Sequence, residues 1–181
     1  MEELDRITIQ RAIKGDKRAF KALYDHYSPF IWRVLFKMVS GDKNLAEELL
    51  QETFVKIHYA LKTFRAESSF STWAYRIAYN VTMHSVEKRK KHSVFTPYED
   101  KFTGNHRTDH YEDTEIVRRL LSELSHEDRF LLVAKEVDDF SYEDLSEITN
   151  ISAGALRTRL HRLKENIRSR LVKIFPEAKV R

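Results

Sequence analysis

The stretch from Ser141 to Leu171 constrains the fold more than any other part of the chain. Leu156, Leu160, Leu163, Ile167 and Leu171 recur at spacings of 4, 3, 4 and 4, which draws one apolar stripe along a single helix. Upstream, Leu145 and Ile148 give a short helix one buried face. Ser141 followed by Asp144 has the spacing of a capping box. Asn150 enters the left-handed turn conformation at low cost, and Ser152 can cap the helix that follows. A short helix, a tight turn and a long capped helix in succession describe a helix-turn-helix.

Charge is segregated across that motif. Ile151 to Lys173 holds seven basic residues and one acidic residue, whereas Glu136 to Thr149 holds six acidic residues and no basic one. The cations therefore sit on the second helix, with Arg157, Thr158, His161 and Arg162 pointing away from the leucine stripe and Arg159 at its border. A recognition helix in a major groove needs this combination of arginines for base edges and cations for phosphates. A solvated helix of an ordinary bundle would also be basic, but it would not need the short helix, the turn and the charge segregation together. Ser152, Arg157, Thr158, Arg159, His161 and Arg162 are the candidate duplex-reading residues.

A second signal lies between Lys62 and Lys91, with seven basic and two acidic residues. Phe64, Phe70, Trp73, Tyr75 and Tyr79 are interleaved with these cations. Aromatic faces beside cations stabilise unstacked single-stranded bases, and an asparagine such as Asn80 offers donor and acceptor together to a flipped base. Trp73, Ile77 and Val81 are spaced by four and would serve equally as core. Tyr75 and Tyr79 share the neighbouring stripe, so one of these two faces is expected to be exposed.

From Asn44 to Phe64, Ala46, Leu49, Leu50, Phe54, Ile57 and Leu61 cluster on one helical face. Glu48, Gln51, Glu52, Val55 and Tyr59 fall on the other, where apolar residues among carboxylates suit protein docking, although an ordinary polar face with two stray apolar residues fits the pattern at least as well. Glu47, Glu48 and Glu52 could instead be read as a magnesium site of a nuclease. However, Glu47 and Glu48 diverge by about 100° around a helix, and the chain has no phosphate-cradling glycine loop or His-Glu zinc motif.

Four glycines and three prolines among 181 residues leave little turn chemistry for sheets, so an all-α fold is expected. The absence of cysteine excludes disulfides, thiolate metal sites and cysteine nucleophiles. No apolar run approaches the roughly 20 residues of a bilayer span. The acidic start lacks an apolar secretory segment, which makes the cytoplasm the expected location.

Two helix-rich blocks, Asp5 to about Lys91 and Thr114 to Phe175, flank a charged, weakly patterned stretch from His92 to Asp113, read as a flexible linker. In the first block, Ile9, Ile13, Phe20, Leu23 and Tyr24 suit one or two short helices broken near Gly15. A separate run covers Phe30 to Val39, stopped by Gly41. Asp42 or Asn44 caps a helix to about Leu61, and another begins after Ser68-Ser69 or Ser71 and runs to about Lys90. The second block should hold helices over Thr114–Leu124, His126–Val137, Ser141–Thr149 and Ser152–Ile174.

With these segments in order, the chain resembles an extracytoplasmic-function (ECF) sigma factor of the sigma-70 family. "AFKALYDHYSPFIWRVL" and "AEELLQETFVKIH" are similar to the start of its sigma-2 domain and to its polymerase-binding segment. "FRAESSFSTWAYRIAYN" resembles the segment that melts and reads the −10 element. "LSHEDRFLLVAKEVDDFSYEDLSEITNISAGALRTRLHRLKENIR" resembles the sigma-4 domain that reads the −35 element. "AGALRTR" departs from the family's frequent "VGTVKSR", and Asn150 replaces a common glycine.

The resemblance implies a sigma-2 helical bundle over residues 1–91, a linker over 92–113 and a sigma-4 helix-turn-helix over 114–181. It implies a factor that binds promoter DNA and core RNA polymerase through the β′ and β subunits, and that neither catalyses a reaction nor needs a cofactor. Glu48, Gln51, Glu52 and Val55 would face the β′ coiled coil. Asn80 would hold a flipped −10 base, with Phe64, Trp73 and Tyr75 nearby, while Arg76 on the same helix is placed by its own chemistry to grip the strand's backbone or read a base edge. The linker, acidic from Ser93 to Glu115, would run through polymerase toward the RNA exit path. An anti-sigma factor would be a further partner. A stand-alone helix-turn-helix regulator is the alternative, and it leaves the aromatic and acidic helices without a task.

Overall fold

The computed structural model of the chain describes residues 3–92 and 120–174. Every regular element among them is helical. The linker expectation therefore lies outside the described residues apart from His92, and so does the helix expected from Thr114 apart from a helical end at 120–122.

Each helix begins where the sequence supplies an acceptor for its first free N–H groups. Asp5 caps α1 (Arg6–Ile13) by accepting from Thr8 N at 2.8 Å. Gly15, at φ +91°, turns the chain, and Asp16 caps α2 (Lys17–Met38) by accepting from Arg18 N and Ala19 N. Asp42 caps α3 (Lys43–Ala60) through Leu45 N at 3.0 Å, and a 3₁₀ turn over Leu61–Thr63 follows. At the start of α4 (Phe70–His92), Ser69 Oγ accepts from Thr72 N at 3.0 Å and Glu3 from Ser71 N at 3.1 Å. Ser125 caps α5 (His126–Glu136). Ser141 and Asp144 complete the capping box of α6 (Tyr142–Thr149), and Asn150 ends that helix at φ 60°. The turn leads directly into α7 (Ala153–Ile174).

One local expectation needs correction. The chain from Lys17 to Met38 is a single helix that passes through Pro29, not a short helix followed by a separate run. An interior proline removes a hydrogen bond and costs about 3 kcal/mol. Seven buried side chains offset this along α2, among them Leu23, Tyr27, Ile31, Leu35 and Met38. The helix stops at Gly41, whose N–H reaches Phe36 O at 2.8 Å with φ +84°.

Helices α1 to α4 form one bundle and α5 to α7 a second, smaller one. The two are packed together: α2 lies against α5, and α4 against α6. Their buried side chains merge into one core, in which Phe130, Leu131, Leu145 and Leu156 join Tyr75, Tyr79 and Leu35. Polar contacts cross the same junction. Arg129, 4% exposed, donates to Met38 O at 2.7 Å and to Ser122 O and Leu124 O. His126 Nδ1 lies 2.6 Å from Met38 O.

Candidate nucleic-acid and polymerase interfaces

On α7 the leucine stripe is buried as expected at Leu156, Leu160 and Leu163. That burial turns Arg157, Thr158, His161 and Arg162 outward, and all four are exposed. Ser152 is also exposed, and its hydroxyl accepts weakly from Ala155 N at 3.4 Å. Thr158 spends its hydroxyl proton on Gly154 O at 3.1 Å. Arg159 differs from its neighbours. Its Nε donates to Asp128 Oδ1 at 2.7 Å and its Nη2 to Glu127 Oε2 at 2.8 Å. Partial burial works against its charge, but these two carboxylates hold its pKa above the ordinary arginine value. In this conformation Arg159 braces α7 against α5.

The aromatic helix is arranged differently. Phe64, half-buried, packs with Phe70 and Trp73 at ring separations of 5.3–5.4 Å. Trp73 is 7% exposed, Tyr75 0% and Tyr79 8%. The expectation that either the Trp73 or the tyrosine face would be open is therefore wrong. Trp73 turns into the first bundle, while Tyr75 and Tyr79 are covered by the second. Tyr75 meets Phe140 at 4.7 Å and Tyr79 meets Phe130 at 4.8 Å. Asn80 is exposed, and Arg76 is half-buried with Glu147 at 3.5 Å.

The covering is fastened by polar contacts that no local spacing brings together. The Tyr75 hydroxyl donates to Asp138 Oδ2 at 3.1 Å. Arg33, on α2, pairs with the other oxygen of the same carboxylate. Thr72 donates to Asp144 at 3.0 Å. Burial pushes the Tyr75 phenol up, with the Asp138 charge adding to the shift, and raises Tyr79 to about 12. Burial also raises Asp138, against the opposing pull of Arg33. Arg33 and Asp138 are 105 positions apart, beyond the reach of any local spacing rule.

On α3, Glu48, Gln51, Val55 and Tyr59 are exposed, with Val55 at 53% and Tyr59 at 79%, while Glu52 is half-exposed. Glu48 faces Arg89 at 3.2 Å and Glu52 faces Lys56 at 2.9 Å. The two carboxylates thus have separate cationic partners, which suits a docking surface better than a shared ion.

Residues 23–92 match the family Sigma-70 region 2, and residues 114–167 match Sigma-70, region 4. The chain is 30% identical to the RNA polymerase sigma-H factor of Pseudomonas aeruginosa over 98% of both chains. This chain is an ECF sigma factor of the sigma-70 family. The sigma factor is also 29% identical to the ECF RNA polymerase sigma factor SigW of Bacillus subtilis, over 94% of this chain and 98% of that one. Among solved structures its fold is similar to CnrH in complex with the cytosolic domain of CnrY (TM-score 0.69, 20% identity, covering 92% and 96% of the two chains). It is likewise similar to the sigma factor RpoE in complex with the anti-sigma factor NepR from Bartonella quintana (TM-score 0.72, 21% identity, 88% and 98%). The sigma factor directs promoter-specific transcription initiation, with core RNA polymerase and promoter DNA as its partners. No described helix is long and apolar enough to cross a membrane.

Proposed function

We propose that this sigma factor reads the −35 duplex with α7 and captures the −10 strand with α4, and that the arrangement described above is its closed form. The observation that carries this reading is the contrast between the two helices. The cationic face of α7 is open while the tyrosine face of α4 lies under Phe130 and Phe140.

Arg157, Thr158, His161 and Arg162 then meet the major groove, with Ser152 at the helix start and Arg159 released from Glu127 and Asp128 only if it joins them. Asn80 receives a flipped base, Arg76 grips the backbone, and Phe64, Trp73 and Tyr75 build the wall beside it. For Tyr75 to take part, the second bundle must leave α4. Exposing the apolar rings of that junction costs about 1.5–3 kcal/mol each, so docking on polymerase supplies the energy of opening. Glu48, Gln51, Glu52 and Val55 present the polymerase-binding face of α3.

The working parts are a sigma-2 domain over 1–91, a linker over 92–113 and a sigma-4 domain over 114–181. The role is recruitment without catalysis, carried out in the cytoplasm where polymerase acts. An anti-sigma factor is the expected inhibitor, since both solved neighbours are complexes and RpoE is held by one. A stand-alone regulator would bind duplex DNA tightly without polymerase.

In vitro transcription with purified core polymerase on a fragment library tests the whole reading. Discrete start sites that depend on this chain are expected. Glu52→Arg should weaken co-elution with core polymerase, and Asn80→Ala should abolish permanganate reactivity near the start site. Unchanged co-elution and persistent melting would remove those two assignments.

A further inference from the structure

The two arginines that flank Thr158 are held by different chemistry. Arg159 spends its N–H donors on Glu127 and Asp128. Arg157 makes no hydrogen bond or ion pair among the described residues. Its guanidinium lies over the Tyr142 ring, 5.0 Å from the centroid. Lys135 Nζ approaches the same ring at 5.1 Å and is itself held by Phe140 O at 2.8 Å.

Tyr142 is the first residue of α6, next to the Ser141–Asp144 capping box, so the backbone that carries the ring is fixed. A ring holds a guanidinium through its flat face, which leaves the N–H donors at the edge free. A carboxylate occupies those donors. Arg157 is thus restrained yet unspent, one turn into the helix whose N-terminal residues reach base edges in a helix-turn-helix. Pre-ordering a long side chain lowers the rotamer entropy lost on binding.

We propose that Tyr142 is a positioning residue for promoter reading: its ring holds the Arg157 guanidinium ready for one base pair of the −35 duplex. This rests on the reading of α7 as the recognition helix. Lys135, beside the same ring, adds positive charge to that spot and directs the polyanion toward it.

The test uses the full chain assembled with core polymerase. The probe is a duplex promoter fragment selected by in vitro transcription, with each −35 base pair substituted in turn. Arg157→Ala should flatten the preference at one base pair. Tyr142→Leu should flatten the same position and weaken the matched fragment about two- to five-fold, the fold-change expected of a cation–π contact. Tyr142→Phe, which keeps the ring, should preserve the wild-type profile. In the Arg157→Ala background, Tyr142→Leu should add nothing. If Tyr142→Leu lowers the helical content, Tyr142→Gln carries the same expectation at this half-buried position.

A Tyr142→Leu variant that weakens every fragment equally, weakens none, or adds to Arg157→Ala overturns the positioning role. If Arg157→Ala flattens its base pair and Tyr142→Leu does not, only this inference falls. If Arg157→Ala flattens no base pair, the recognition-helix assignment of that arginine falls with it.

Discussion

Helices α4 and α7 carry the two nucleic-acid signals of the chain, yet they stand in opposite states. Both are long helices of 23 and 22 residues with basic faces. On α7 most of the proposed duplex-reading side chains are exposed because the helix needs only its leucine stripe to pack. On α4 the aromatic side chains proposed to line the captured strand are themselves good packing material. Tyrosine rings bury favourably wherever a partner is offered, and Phe130 and Phe140 offer one. A charged reading surface stays open by default, whereas an aromatic one closes unless something holds it open. Under the proposed function, this suits a duplex contact that forms early and a strand capture that waits for polymerase.

Four experiments can break or sharpen that contrast. The largest effect is expected from Arg157→Ala combined with Arg162→Ala. Each arginine that reads a base is worth about 1–3 kcal/mol, so binding to a −35 fragment should collapse while small-angle scattering of the free protein stays unchanged. A changed scattering profile would mean that α7 also contributes to closure.

Next comes Arg33→Ala. It leaves the Asp138 carboxylate buried beside Tyr75 alone, at a cost of about 1–3 kcal/mol, reduced because Arg33 is partly exposed. The distance between fluorophores on α3 and α7 should lengthen. A constant distance would show that the aromatic contacts suffice.

A smaller effect separates the two tyrosines. Tyr75→Phe loses the bond to Asp138 and should loosen closure by about 1 kcal/mol. Tyr79→Phe should be nearly silent in the same assay, because the Tyr79 hydroxyl makes no hydrogen bond among the described residues. A Tyr75→Phe variant as silent as Tyr79→Phe would point to the rings, and not the hydroxyl, as the fastening.

The smallest effect is on pH. Burial raises Asp138 in the closed form, so that form binds the proton more tightly than an open form with a solvated carboxylate. This contribution to closure is complete below the ordinary aspartate range and is lost as pH rises through the raised value. Asp138→Asn should remove the trend. If the pH trend of the interhelix distance persists in that variant, another group is responsible.

The local structure was largely legible from spacing. The capping box at Ser141, the left-handed turn at Asn150 and the outward set Arg157, Thr158, His161 and Arg162 follow from rules that act within a few residues, and the structure shows them. One local reading failed: Pro29 sits inside α2 because seven buried residues outweigh one lost hydrogen bond. Arg159 lies at the border of the stripe as its spacing predicts, but no local rule names its partners there, Glu127 and Asp128.

The sequence alone determined helix identity, the charge asymmetry of the helix-turn-helix and the family, because each depends on residues close together or on their order along the chain. Only the tertiary structure decided whether a functional face was open. Tyr75 is closed by Asp138, Phe140 and Arg33, which are far from it in sequence. The periodicity of α4 states that a stripe is apolar, but not what will cover it. That depends on which surface of the second bundle can fill the space beside it.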